Sequence, residues 1–329
     1  MTLKENIVEY TIQNKDLSLT ILNYGATITK LIYKGVDVAL GYEDHQDYFD
    51  NGASLGMTVM PNANRIGKAE IDIKGVKYHL QKNDGNNNLH SHKENACQKK
   101  MYLVRSYGDK LVCETTLKDD EDNFPGNRKF KVVYQLKDNA LHITYSCLSD
   151  KDTIFNPTQH TYFNLNGHDK GTILDHYLKI NANNYTVTDK ELISTGEIVS
   201  VVDTPMDFRE YKKIGQDIRK DYPALNYGKG YDNNWCINDY DGSMKYCASL
   251  KNEKIEMEVY TTQPGIQVYT GNYLAGENGK GNYSYLENYG VALETQFYPD
   301  CNHHDNFVSS ILNANEIKSY ETVYQFKGE

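Results

Sequence analysis

The stretch KVVYQLKDNALHITYSCL, residues 131–148, decides the fold. Leu141, Ile143, Tyr145 and Cys147 alternate with His142, Thr144 and Ser146. That is the period of a strand with one face in a core. Lys137-Asp138-Asn139 breaks the run before it, so the stretch predicts two strands joined by a tight turn. The same alternation returns at Ile255, Met257 and Val259, set against Glu256 and Glu258. Turn signals recur at Lys74-Gly75 before VKYHL (76–80) and at Asp241-Gly242 between NNWCIN (233–238) and KYCASL (245–250). The pattern is that of a meander.

Helical spacing is scarce. Phe208, Tyr211, Ile214 and Ile218 follow Thr204-Pro205 with apolar residues at three- and four-residue steps, which predicts one or two helical turns. Repeated hairpins with so little helix predict an all-β fold, a large antiparallel β-sandwich; a doubly wound sheet would need strand and helix to alternate. No repeat, low-complexity linker or boundary divides the 329 residues, so 1–329 is expected to form a single domain. The polar loop DDEDNFPGNR (119–128) is read as an exposed hairpin connection.

Acidic residues outnumber basic ones 45 to 35, a net charge of -10, which argues against nucleic acid as a partner. MTLKENIVEY lacks the basic start and apolar run of a secretory signal. No window approaches the about 18 consecutive apolar residues of a membrane span, and a cytoplasmic location is expected. The six cysteines form no C-x-x-C pair and are expected to be buried free thiols. Tyrosine is abundant, with 28 residues, and suits strands and half-polar pockets.

Polar residues recur at the ends of apolar strands. NPTQHTYFNLNGH (156–168) would place His160, Tyr162 and Asn164 on one strand face, a patch suited to gripping hydroxyl groups. PNANRIG (61–67) gathers Asn62, Asn64 and Arg65. NNNLHSH (86–92) sets His90 and His92 at i, i+2, a spacing at which two imidazoles share a metal if His303-His304 supplies a third ligand. No carboxylate stands at a supporting spacing, and no metal site is expected. GYDNNW (230–235) contributes Asp232, and YTTQPGIQVYTGN (260–272) contributes Gln267. GVALETQFYPD (290–300) places Glu294 inside an apolar strand. Converging on a concave face, such groups would suit a polyhydroxylated ligand.

Taken in order, NANRIG, NNLH, HTYFNL, YDNNW, TTQPGIQVYTGN and GVALETQFYPD resemble the aldose 1-epimerase (galactose mutarotase) family over nearly the whole chain. The resemblance implies a β-supersandwich with an open groove for a hexopyranose such as galactose or glucose, and neither metal nor cofactor. It implies Glu294 as general base and His160 as general acid, with Asn64, Arg65, His90, Tyr162, Asp232 and Gln267 lining the sugar site. Anomers interconvert when the C1 hydroxyl loses a proton while the ring oxygen gains one, so two proton-transfer groups are required. An imidazole beside a carboxylate is expected to hold its proton near neutrality. The chain departs from the family pattern at Ser91-His92, where many members carry a glycine pair, at KENACQKKMY (93–102) and at VMPNA (59–63). A differently shaped groove beside His90 follows. In the catalytic strand, Ala292, Glu294 and Gln296 are expected to meet the groove, and Val291, Leu293 and Thr295 to face the packing side.

Three alternatives stand beside this reading. Asp232 and Glu294 would be the carboxylate pair of a glycoside hydrolase. A non-catalytic sugar-binding module would keep the fold without the chemistry. A hexose-6-phosphate epimerase would want more basic residues than Arg65 at the groove. The chain is expected to be a monomer or homodimer.

Overall fold

The computed structural model describes residues 6–328, and they fold as antiparallel sheets with two short α-helices. The opening stretch forms the strands Arg128–Lys137 and Ala140–Ser149, paired from Arg128↔Ser149 to Lys137↔Ala140. The turn is the two residues between, with Asp138 in the left-handed region at φ 48°. Phe130, Val132, Tyr134 and Leu136 are buried on one strand, and Leu141, Ile143, Tyr145 and Cys147 on the other. The alternation is therefore the packing of one sheet face.

This hairpin lies within a nine-stranded sheet, next to the longest strand, Ile317–Gly328. A six-stranded sheet packs against it, ordered Tyr162–Phe163, Val291–Gln296, Gly265–Tyr269, Asp232–Cys236, Asn184–Thr188 and Ser194–Ser200. The Thr295 hydroxyl meets that of Thr322 at 2.6 Å, and the Tyr324 hydroxyl donates to the Leu293 carbonyl at 3.1 Å. The Phe163 and Tyr324 rings lie 4.9 Å apart. Leu293 and Thr295 thus face the large sheet, and Glu294, one residue out of phase, faces the other side of its own sheet.

All six cysteines are free and buried. Three expectations change. Over 208–218 the chain makes a short strand, Lys212–Lys213, paired with Tyr177–Leu178, and one 3-10 turn, Ile214–Gln216. Phe208, Ile214 and Ile218 are buried, but by the neighbouring sheet rather than along a helix face. The helix nearby is Pro223–Gly228, begun by Pro223 at a position where the missing N–H costs nothing. Asp241-Gly242 is no hairpin turn, because Asp232–Cys236 belongs to the six-stranded sheet and Lys245–Lys251 to the nine-stranded one. The loop 119–128 is only partly exposed. Asp122 and Arg128 have fully buried side chains, joined at 2.6 and 3.1 Å by two hydrogen bonds. Arg128 Nε donates to Gly126 O and Nη2 to Lys118 O, so a guanidinium and carboxylate that composition assigns to solvent form an internal clasp.

Candidate active site

On the face of the six-stranded sheet turned away from its partner, three strands bring polar residues abreast. Asn234 pairs with Gln267, and Gln267 with Glu294. Asp232 pairs with Tyr269, and Tyr269 with Ala292. Tyr162 arrives opposite Ala292 from the edge strand, and His160 ends the short strand Thr158–His160, which pairs with Met57–Val59. A second unit closes the side. Arg65–Ile66 pairs with Asn88–Leu89, and the two ends are clipped twice: His90 N–H donates to Asn64 O at 3.2 Å, and Asn64 N–H donates to His90 Nδ1 at 3.1 Å. Asn64 and His90 both sit in the left-handed region, at φ 64° and 53°. Asparagine adopts that conformation readily because its side-chain oxygen accepts a hydrogen bond from nearby backbone, here from Arg65 N–H.

These elements enclose a cavity of about 250 Å³ lined by Asn64, Arg65, His90, His160, Tyr162, Asp232 and Glu294. It is smaller than the roughly 300–1,000 Å³ of drug-sized sites and fits a small molecule such as a monosaccharide. Gln267 stands behind the lining: its amide donates to Asp232 Oδ1 at 2.7 Å. Asn164 is elsewhere, its amide bound to the carbonyls of Gly171 and Tyr289. Thr161 breaks the strand between His160 and Tyr162, so strict alternation does not extend to Asn164. The Tyr162 hydroxyl donates to Ala53 O at 2.7 Å. Tyr162 therefore offers the cavity its ring, not the hydroxyl grip that the alternation predicts.

His160 Nε2 and Glu294 Oε1 are 3.6 Å apart, with side chains 6% and 2% exposed. The His160 ring sits edge-on to His90 at 5.4 Å and close to Tyr162 at 5.0 Å and Tyr269 at 6.2 Å. In this enclosed box, walled by aromatic rings, burial governs both titrations. It pushes His160 down to about 4. It pushes Glu294 well above the ordinary carboxylate range, the nearby charge of Asp232 adding to the rise and Arg65 opposing it. The expectation of a proton-holding imidazole is corrected: loss of water outweighs the neighbouring carboxylate. Glu294 Oε2, His160 Nδ1 and Gln267 Oε1 are buried without a protein hydrogen-bond partner. Buried polar atoms are seldom left unpaired in a purely structural role.

The donor atoms of His90, His160 and Glu294 lie within 4.8 Å of one another, a grouping able to surround a cation. The donor chemistry does not favour one. His90 Nδ1 accepts a backbone N–H, so the neutral ring carries its proton on Nε2 and presents a donor there instead of a lone pair. The His-x-His spacing does not operate either, because His92 Nδ1 accepts from Glu94 and Asn95 N–H. His303 and His304 are bound to Asp300 and to Ser194 O. Ser91 occupies the left-handed position at φ 69° and exchanges two hydrogen bonds with the Asn62 backbone, doing with a hydroxyl what a glycine there would do with freedom alone.

Sequence reasoning passed over Ser54, Tyr269, Tyr273 and Glu277, which also line the cavity. Tyr269 had a signal, lying two residues past Gln267 on the same strand face. Asp84, which holds Arg65 Nε at 2.9 Å, and Glu277 had none.

A carboxylate from the six-stranded sheet and an imidazole from the separate strand Thr158–His160 meet in one small cavity, an arrangement able to give and take protons. The chain matches the family described as aldose 1-epimerase over residues 8–325. It is 32% identical over 328 residues to galactose mutarotase of Bos taurus, covering 97% of this chain and 94% of that one. It is 38% identical over 269 residues to aldose 1-epimerase of Haemophilus influenzae, covering 80% and 75%. A crystal structure of an aldose epimerase homologue from C. elegans superposes with a TM-score of 0.89 at 28% identity, covering 98% of this chain and 99% of that one. The chain belongs to the aldose 1-epimerase family and is an isomerase acting on carbohydrates.

Proposed function

We propose that the cavity interconverts the α and β anomers of hexopyranoses such as galactose or glucose, with Glu294 as base and His160 as acid. The observation that carries this reading is the opposed displacement of the two groups. A carboxylate whose proton affinity is raised is a stronger base, and an imidazolium whose affinity is lowered is a stronger acid. Glu294 takes the O1 proton as the C1–O5 bond breaks, and O5 takes the proton of His160. The open aldehyde then lies beside a protonated carboxyl and a neutral imidazole, the charge state that burial favours. Rotation about C1–C2 and reclosure return both protons, so the pair carries one proton throughout. Arg65, held by Asp84 and by Asp232 at 3.8 Å, and His90 Nε2–H supply donors for oxygen charge developing in the cavity.

Glycoside hydrolysis with Asp232 as a partner is less well supported, because the Asp232 carboxylate is engaged by the Gln267 amide and faces Arg65. The test is polarimetry of freshly dissolved α-D-galactose and α-D-glucose. Wild type accelerates mutarotation, and Glu294→Gln lowers the catalysed rate about 10²- to 10⁴-fold with the fold retained. An unchanged rate in that variant removes Glu294 as base.

The wider reading is of one domain over residues 1–329, cytoplasmic, monomer or homodimer, acting on a small aldose without metal, cofactor or nucleic acid. The net charge of -10 supports the last point, and among the described residues no helix is long and apolar enough to cross a membrane.

A further inference from the structure

The cavity holds one charged group for which the anomerisation chemistry has no use. Glu277 lines it from the hairpin formed by Ala275–Asn278 and Ser284–Leu286. The ladder of this hairpin shifts register between Ala275 and Glu277, where Gly276 takes φ 107°. Such a bulge redirects a side chain, and the residue at its centre needs the freedom of glycine. One Glu277 oxygen accepts Ala275 N–H at 3.0 Å. Glu277 makes no ion pair among the described residues.

The charges around it are unbalanced. The lining holds three carboxylates, Asp232, Glu277 and Glu294, and one guanidinium, Arg65; the proton carried by Glu294 and His160 leaves that pair neutral overall, so Asp232 and Glu277 face Arg65 alone. Arg65 is already engaged by Asp84 at 2.9 Å and Asp232 at 3.8 Å, so its charge is compensated before any ligand arrives. Lys229 lies beyond Tyr273, its Nζ 5.1 Å from the ring centroid. The field of Glu277 reaches Tyr162 and Tyr269, the aromatic walls around His160. An aldose with its own negative charge would bring it into a small, weakly screened space already negative.

We propose that Glu277 is a specificity-determining residue whose carboxylate rejects anionic aldoses, the hexose phosphates and hexuronates, and leaves neutral hexoses as substrates. The inference rests on the aldose reading of the cavity. For unit charges about 7 Å apart at an effective dielectric constant near 40, repulsion lowers kcat/KM about 5- to 10-fold per charge.

The experiment measures mutarotation of glucose, glucose 6-phosphate and glucuronate by wild type, Glu277→Gln and Glu277→Lys, and takes the ratio of kcat/KM for each anion to that for glucose within one protein. A partly inactive preparation cancels from this ratio. The expected result is a ratio that rises about 5-fold or more in Glu277→Gln and further in Glu277→Lys. Raising salt from about 0.02 M to about 1 M should raise the wild-type ratio, since salt screens repulsion. Ratios that stay within about 2-fold across the three proteins, or a wild-type ratio that falls with salt, overturn the proposal. Failure of wild type to act on glucose or any other aldose would instead overturn the function on which it rests.

Discussion

Two buried pairs of ionisable side chains, Arg128 with Asp122 and His160 with Glu294, illustrate opposite uses of burial. In the first, the guanidinium grips both carboxylate oxygens and donates two further hydrogen bonds to the carbonyls of Gly126 and Lys118. In the second, the closest approach is 3.6 Å and each partner keeps a buried polar atom unpaired. A charged pair in which the guanidinium makes four hydrogen bonds holds a loop in place. A pair with bonds missing has its proton affinities displaced toward neutrality and is ready to exchange protons with a ligand. Satisfaction, more than burial, separates the structural pair from the pair proposed to move protons.

The comparison breaks most sharply if the clasp is cut. Asp122→Ala leaves the Arg128 cation buried without a partner and should cost about 3–5 kcal/mol. Thermal unfolding would register this as a drop in Tm, while kcat per folded molecule stays at the wild-type level. A comparable loss of kcat at full folding would place the loop in the catalytic machinery.

The reactive pair should respond in the opposite sense. The folded-state affinity of Glu294 for its proton lies above the unfolded value, so that contribution to stability is present in full below about pH 4.5 and is lost as pH rises through the displaced value. Glu294→Gln removes the loss, and its Tm should exceed that of wild type by a margin that grows with pH. His160 is displaced the other way, to about 4, so its contribution is present above about pH 6.5 and fades as pH falls toward 4. For catalysis the pair must hold one proton: below about pH 4 both groups are protonated, and above the displaced value of Glu294 neither is. The acid limb of kcat/KM should therefore sit near pH 4 and the raised carboxyl value should appear as the alkaline limb; an alkaline limb at ordinary carboxylate pH would contradict the burial argument.

A smaller effect should come from Gln267, which touches Asp232 and stands behind the cavity wall. Gln267→Ala frees the Asp232 carboxylate and should lower kcat/KM about 10-fold, carried mainly by KM because sugar positioning suffers before proton transfer does. A loss confined to kcat would shift Gln267 into the chemistry.

Much of this was legible because strands expose their faces in sequence. The alternation at 131–148 and 255–259 gave buried sheet faces directly, and the phase of Glu294 against Leu293 and Thr295 foretold which side of the sheet it would occupy. What escaped had no periodic trace. The apolar spacing at 208–218 fits a helix as well as a loop whose residues are buried by a neighbouring sheet, and only Lys212–Lys213 finding a partner strand decided it. Asp241-Gly242 looks like any turn, since a sequence does not say which sheet the next strand joins. The protonation of His160 depended on neighbours that include His90, Tyr269 and Glu294, brought together from distant segments. Glu277 was hidden by its hairpin, where a glycine-centred bulge, not a strand period, aims the side chain.

The strict two-residue phase of Val291–Gln296 also sets a rule for how this chain can diverge. Inserting or deleting a single residue in that strand would exchange its faces, putting Glu294 against Thr322 and Tyr324 and turning Leu293 and Thr295 toward the sugar. Descendants of this sequence can therefore alter the strand letter by letter but not in length, and changes of length that retune the sugar preference fall to connections such as the 275–286 hairpin.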